Sequence, residues 1–350
     1  MAFHPKKSAI AVATTVFALS GIVGGAYAQS DLPEIKVALA TADNNFNPTT
    51  GSIFKLAEQL GFYEKHGVKV TFVVLDGTPN AVAALNSGDV DAADIAIDAA
   101  IRLRADNDVA IRGFAATAMG NPFLIASKDD IKTVEELAGR SYAIADNGSL
   151  DHNLTQAVLG TYEVAADAPN FVAIGAPDIR VQALAAGQVD ATTVSFGTYQ
   201  SIAGTAGIHV LVSADDYAER APGQSKFLAA LEPTLEAKRD ALQKFTEALA
   251  DASRAMVENP NTWIEAMDAA RDDLSLESIE ATAGLNAKRW CVNSCMNPEA
   301  LAKAVEFNYA NPDFKDVKVL PVEDLVDFSF SGKAMETLGV YKGDVLDARN

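Results

Sequence analysis

The stretch DNGSLDHN, residues 146–153, carries the sharpest chemical signal in the sequence. Gly148 and Ser149 stand between an apolar run and the start of a helical pattern. Free backbone N–H groups and the helix dipole at such a place suit an anionic group. Asn147 and His152 flank them. Plain capping of the helix by Ser149 or Asp151 is the competing use of the same residues. Four acids, Asp43, Asp76, Asp98 and Asp146, stand at the ends of apolar runs. Carboxylates there would accept N–H donors from an amine or an amino-pyrimidine, although turn and N-cap roles account for the same positions. Phe46, Phe123, Phe196 and Tyr199 could stack on a ring or pack a hinge. Asn45, Thr78, Asn121 and Asp178 add polar groups in the same loops. Arg180 could pair with an anion, while a surface position is the commoner place for an arginine.

These residues need elements to hold them. From Glu34 onward the sequence alternates apolar runs with helical spacing. IKVALAT (35–41) reads as a strand buried on both faces. IFKLAEQLGFYEKHG then shows helical periodicity and ends at Gly67. VKVTFVVL, VDAADIAI and VAIRGFAAT continue the strands. A second set follows: FLIASK, RSYAIAD, NFVAIG and VDATTVSF, again with helices between. Strands alternating with helices of this length predict a mostly parallel sheet flanked by helices. One phrase occurs twice: AALNSGDVDAADI (83–95) and QALAAGQVDATTV (182–194). Gly88 and Gly187 fit left-handed helix C-caps, and Asp91 and Asp190 stand where a turn becomes a strand. The repeat predicts two lobes on one plan.

The predicted organisation is a segment at 1–28, a first lobe from 29–118 and 214–350, and a second lobe at 119–213. Crossings between the lobes are expected near 115–123 and 194–215. The chain after Leu231 reads as mainly helical and is assigned to the first lobe. In open α/β sheets ligands bind beyond the carboxyl ends of the strands. That rule selects the loops 42–52, 76–80, 96–99, 118–123, 146–153, 175–180 and 195–199.

Composition narrows the function. Residues 1–28 have Lys6 and Lys7, an apolar stretch and AYA at 26–28, the pattern of a cleavable export signal cut near Ala28. No later stretch has the roughly 20 apolar residues of a membrane span. Loss of the two lysines takes the net charge from −19 to −21. Such acidity argues against nucleic acid, which needs basic surface. Cys291 and Cys295 are the two cysteines. In an exported protein a short-loop disulfide is expected of them, two unpaired thiols being the alternative. A zinc site would need more ligands than these.

GFYEKHGVKVTFV, ALNSGDVDAADI, LAGRSYAIADNGS, ALAAGQVDA and VEDLVDFSFSGKAMETLG follow in an order that resembles the periplasmic substrate-binding proteins of ABC importers. The branch resembled is the one for sulfonates, taurine, nitrate and thiamine-precursor pyrimidines. The resemblance implies a two-lobed type II periplasmic binding protein fold. It also implies hinge closure on a small solute, and delivery to a membrane permease with its ATPase. In the related sulfonate binders, the Gly-Ser matching Gly148 and Ser149 holds the anion.

The reading is therefore a periplasmic, monomeric, non-catalytic binding protein with no cofactor and no metal. Its solute is a sulfonate- or carboxylate-type anion or a nitrogenous ring. An enzyme is the first rival, because pyrimidine-synthesising relatives share the fold. The three histidines beyond the leader, His66, His152 and His209, are scattered, and no G-x-S-x-G elbow or HExxH is present. CVNSC does not match the cysteine-rich signature of those relatives. A ligand sensor without transport, and the receptor of an ion-driven tripartite importer, would use the same cleft.

Overall fold

The computed structural model describes residues 32–40, 46–75 and 77–349. The export-signal segment and the candidate residues Asp43, Asn45 and Asp76 lie outside the described residues.

Ten strands form two sheets. The first contains β1 (Glu34–Leu39), β2 (Lys69–Val74), β3 (Ala92–Ala96), β4 (Ile111–Ala115) and, much later in the chain, β10 (Lys226–Leu231). Its order is β2-β1-β3-β10-β4. The second contains β5 (Phe123–Lys128), β6 (Ser141–Ile144), β7 (Asn170–Ala173), β8 (Ala191–Ser195) and β9 (Ile208–Val212). Its order is β7-β6-β8-β5-β9. In each sheet four strands run in one direction, and the strand that arrives from the other lobe runs antiparallel to its two neighbours. Both sheets are therefore mixed.

Each sheet is buried on both faces by helices. Alternate residues of β10 show the two sides. Leu228 and Ala230 join the core of Phe54, Phe245 and Trp263, while Phe227 and Ala229 join that of Leu85, Ile101 and Leu301. In the second sheet Ile125 and Tyr142 belong to one core, and Leu124 and Ala143 to the other.

The repeated phrase takes the same place twice. Each copy ends a helix, Gly77–Ser87 or Pro177–Ala185, and leads into the third strand of its sheet. Gly88 and Gly187 have φ of 77° and 72°, the left-handed conformation that a side chain disfavours.

Two sequence-based boundaries move. KFLAAL forms β10, a strand that was not predicted and that ends where the helical reading begins, at Leu231. The helical region after Leu231 opens with two helices, Glu232–Ala237 and Arg239–Glu258. The second crossing lies at 221–225, because 208–212 pairs with β5 and the next helix stays on the second sheet. That helix, Ala214–Arg220, buries Tyr217 in an edge contact with Phe123, ring centroids 6.0 Å apart.

The long helix Arg239–Glu258 packs on the first sheet. Beyond it Cys291 and Cys295 form a disulfide, 2.02 Å between sulfurs. The loop it closes and the residues just before it hold the first crossing: the Ala116 N–H donates to Ser294 O at 3.1 Å, and the Met119 N–H to Arg289 O at 2.9 Å.

Candidate functional site

The carboxyl ends of the parallel strands in both sheets face one cleft of about 1460 Å³, its open mouth included. Leu39, Val74 and Asp94 line it from the first sheet, and Ala145, Val194 and Ser195 from the second. Hydroxyl groups dominate its polar surface: Thr49, Thr50, Thr78, Thr117, Ser149, Thr198 and Ser225 all line it.

Of the residues singled out from sequence, Thr78, Phe123, Ser149 and Arg180 line this cleft. The others are engaged elsewhere. Phe46 is buried in the first core with Lys55 over its ring at 5.8 Å. Asn121 donates to Ala221 O at 2.7 Å and so pins one crossing to the other. Asp98 accepts from Asn153 Nδ2 of the second lobe at 2.5 Å. Asn147 and Gly148 are exposed outside the lining, and Asp146 accepts from Ser149. Asp178 lies in the first turn of the helix Pro177–Ala185, outside the lining. Phe196 and Tyr199 pack with the second lobe's core, and Arg289 sits 5.5 Å from the Phe196 ring.

The Gly148 and Ser149 amides just ahead of the helix have acceptors within the same segment. The Gly148 N–H donates to His152 Nδ1 at 3.0 Å, and the Ser149 N–H to Asp146 O at 3.1 Å. His152 stands edge-on to Phe171. Burial lowers its pKa, which keeps Nδ1 available as an acceptor. Ser149 Oγ donates to Asp146 O at 2.6 Å and approaches Asp151 Oδ1 at 2.8 Å. Asp151 itself lies in the first turn of the helix Leu150–Gly160. Its Oδ2 accepts from the Ala145 N–H at 2.9 Å and from Arg180 Nη1 at 2.5 Å. The negative charge favoured at this helix start is thus the protein's own carboxylate.

Arg180 is 4% exposed, not at the surface as its type alone suggests. It lies on the helix Pro177–Ala185, donates also to Thr193 O at 3.0 Å, and has an Nε without a partner among the described residues. A second ion pair faces it from the first lobe, Lys226 Nζ to Asp94 Oδ2 at 3.4 Å. Burial pushes the Asp94 carboxyl up, and the Lys226 ammonium opposes it. Arg180 and Asp151 balance each other's charge. Lys55 adds a cation at the exposed rim.

Sequence reading gave Asp151 only as a helix cap and missed Asp94 and Lys226. Asp94 had a signal, an acid inside an apolar strand. Lys226 had none, because its strand was not predicted.

The model of the NMT1/THI5 like family matches residues 49–263, a span that contains most of this cleft. The chain belongs to the NMT1/THI5-like family. Among curated protein sequences none matches significantly. Solved structures that resemble this NMT1/THI5-like chain have the periplasmic binding protein fold. A protein from Bordetella bronchiseptica RB50 superposes with a TM-score of 0.76 at 20% identity, covering 88% of this chain and 98% of that one. The ligand binding component of an ABC-type import system from Staphylococcus aureus, with zinc bound, has a TM-score of 0.67 at 15% identity, covering 86% and 99%. The periplasmic aliphatic sulphonate binding protein of Escherichia coli has a TM-score of 0.63 at 19% identity, covering 84% and 92%.

Proposed function

We propose that this NMT1/THI5-like protein is the periplasmic solute-binding component of an ABC importer. It would take a small solute between its lobes as a monomer and deliver it to a membrane permease with its ATPase. The supporting observation is the single cleft at the strand ends of both sheets, walled by hydroxyls from each. Membership of the family and the binding roles of the similar structures agree with capture rather than chemistry. Among the described residues no helix is long and apolar enough to cross a membrane. No cluster of three or more His, Cys, Asp or Glu there is placed to hold a metal ion.

The solute we infer is uncharged where it meets the cleft floor, with both donors and acceptors for the hydroxyl walls. Asp151 occupies the helix start that would hold a sulfonate, and Arg180 is already neutralised by it. Asp94 and Lys226 likewise match each other. A nitrogenous ring, with Phe123 beside it, suits this surface better than an anion. Lys55 supports one second reading, a monoanion whose charge lies at the rim.

The test is thermal unfolding against a panel of amino-pyrimidines, polyamines, alkyl sulfonates, nitrate and aromatic carboxylates. A ligand at a hundred times its dissociation constant adds about 2.7 kcal/mol. A shift with an uncharged ring supports the reading, provided Thr78→Val or Ser149→Ala weakens it. A shift only with anions that is lost in Lys55→Ala establishes the rim reading. A panel that moves nothing removes both solute classes.

A further inference from the structure

Two contacts join the lobes close to the cleft. At one, Pro48, in the loop after β1, lies against Gly197 in the short helix Phe196–Tyr199. At the other, Asn153 on the helix Leu150–Gly160 donates to Asp98 on the helix Ile97–Asp106. We propose that these two contacts complete solute capture, and that the absent side chain at Gly197 sets how closely the lobes approach. The inference rests on the reading of the cleft as a solute site and names the residues that fix its closed width.

Backbone conformation does not require glycine at 197, because its φ is not in the left-handed region. Proximity does. A Cβ there would lie 2.9 Å from the Pro48 carbonyl carbon, 3.1 Å from the Pro48 Cβ, and closer still to the Pro48 oxygen. Both sides are held by hydrogen bonds. Thr49 next to Pro48 is tied to Asn47 through its N–H at 3.1 Å and its hydroxyl at 2.6 Å. Arg271, 5% exposed and held by both carboxylate oxygens of Asp273 at 2.7 Å, donates to Phe46 O at 3.1 Å. Across the gap the Thr198 N–H donates to Ser195 Oγ at 3.0 Å, and the Phe196 N–H to Pro122 O at 2.8 Å. With both sides so held, a side chain at 197 is expected to part the lobes. Thr49 and Thr198, the neighbours of this contact, line the cleft. Their separation therefore changes with it.

The second contact is a side-chain bond between the lobes. Asp98 is 4% exposed, and its Oδ1 has no partner among the described residues. Asn153 also donates to Gly148 O at 3.2 Å, which fixes its amide toward Asp98.

The experiment needs no solute. Asp98→Cys and Asn153→Cys are introduced together, and the purified protein is treated with a short bifunctional thiol cross-linker. Cys291 and Cys295 are bonded to each other and do not compete. The linked product is expected to form readily. Adding Gly197→Val should lower its yield several-fold and increase the radius of gyration in X-ray scattering. Gly197→Ala should show the same direction with a smaller effect, which keeps the test valid if valine disturbs folding. Gly160→Ala, which has open space around it, should change neither readout. Unchanged yield and unchanged radius in both Gly197 variants would overturn the proposal. Failure of every solute in the thermal panel would instead remove the binding reading and leave these contacts as measured.

Discussion

Asp91 and Asp190, 99 positions apart, make the same exchange with the neighbouring strand in their separate sheets. The Asp91 N–H donates to Lys36 O at 2.8 Å, and its Oδ2 accepts the Lys36 N–H at 2.8 Å. The Asp190 N–H donates to Ser141 O at 2.9 Å, and its Oδ2 accepts the Ser141 N–H at 2.9 Å. A lysine from the returning segment completes each: Lys238 reaches Asp91 at 2.7 Å and Lys128 reaches Asp190 at 2.8 Å. The repeated sequence phrase is thus a clasp at the amino end of each third strand, opposite the cleft.

Replacing either clasp should cost stability and leave solute binding intact. Asp91→Ala and Asp190→Ala are each expected to lower stability by about 2 kcal/mol, as for hydrogen bonds to a charged group. The double variant should show the sum, since the sites share no partner. Urea unfolding measures all three. Burial alone would raise the Asp190 pKa, but bonds from Lys128 and Ser141 hold it down at about 2. Its contribution is therefore complete above the usual pKa of about 4 and lost as pH falls from there toward 2. Asp190→Asn should lose less stability over that interval than the parent.

Arg180 and Asp151 should be far more costly to separate than to remove together. Arg180→Met leaves a buried carboxylate without its counter-charge, a loss of about 3–5 kcal/mol. Adding Asp151→Asn should restore a large part of it. A double variant no more stable than Arg180→Met, measured by urea unfolding, would show that the pair is not the source of the loss.

Asp347 carries a pH dependence of opposite sign. Burial pushes its carboxyl up to about 6, against bonds from the N–H groups of Asn293 and Cys295 at 2.6 and 2.9 Å. The folded chain holds this proton more tightly than the unfolded one. Stability from this group is therefore highest below pH about 4, falls as pH rises to about 6, and is lower by roughly 3 kcal/mol at neutrality. Asp347→Asn removes the titration. Its melting temperature should fall less than the parent's between pH 4 and 7.

The disulfide should matter for the first crossing as well as for global stability. Closing so short a loop is worth about 2 kcal/mol in the chain-entropy account, and Cys291→Ser with Cys295→Ser should lower stability by that order. The amides of Ala116 and Met119, bonded to Ser294 O and Arg289 O, should then exchange hydrogen faster relative to the sheet interior. Uniform acceleration across the chain would mean that the loop has no particular hold on the crossing.

Most of the architecture was legible because strands such as IKVALAT and VDAADIAI are continuous apolar runs stopped by glycine or acid. β10 was not. KFLAALEPTLEA is rich in alanine and leucine, which favour helix, and a six-residue apolar run has no decisive period. Only the vacancy between β3 and β4 makes it a strand. Six of the seven loops selected by the strand-end rule contribute to the cleft lining, 96–99 being the exception, but the direction of each side chain was not legible. Asp98 turns to Asn153 and Asn121 to Ala221, and both choices depend on partners from distant sequence. The pair Lys226–Asp94 spans 132 positions, beyond any local pattern. Arg180 was misjudged because its type suggests solvent, whereas Asp151 supplies the charge that lets it be buried.

The placement of β10 orders the steps of folding. The second sheet draws all its strands from residues 123–212, one continuous stretch, and can assemble as soon as that stretch is available. In the first sheet β3 and β4 are each bonded to β10 rather than to each other. A chain that has emerged only to residue 225 therefore has β4 without a partner and β3 with an open edge, a template for pairing with other chains. Long-range closure of this kind is slow and exposes aggregation-prone surface while it waits. The first lobe can be completed only after the second has been threaded through, so the polypeptide needs protection until its last third is released.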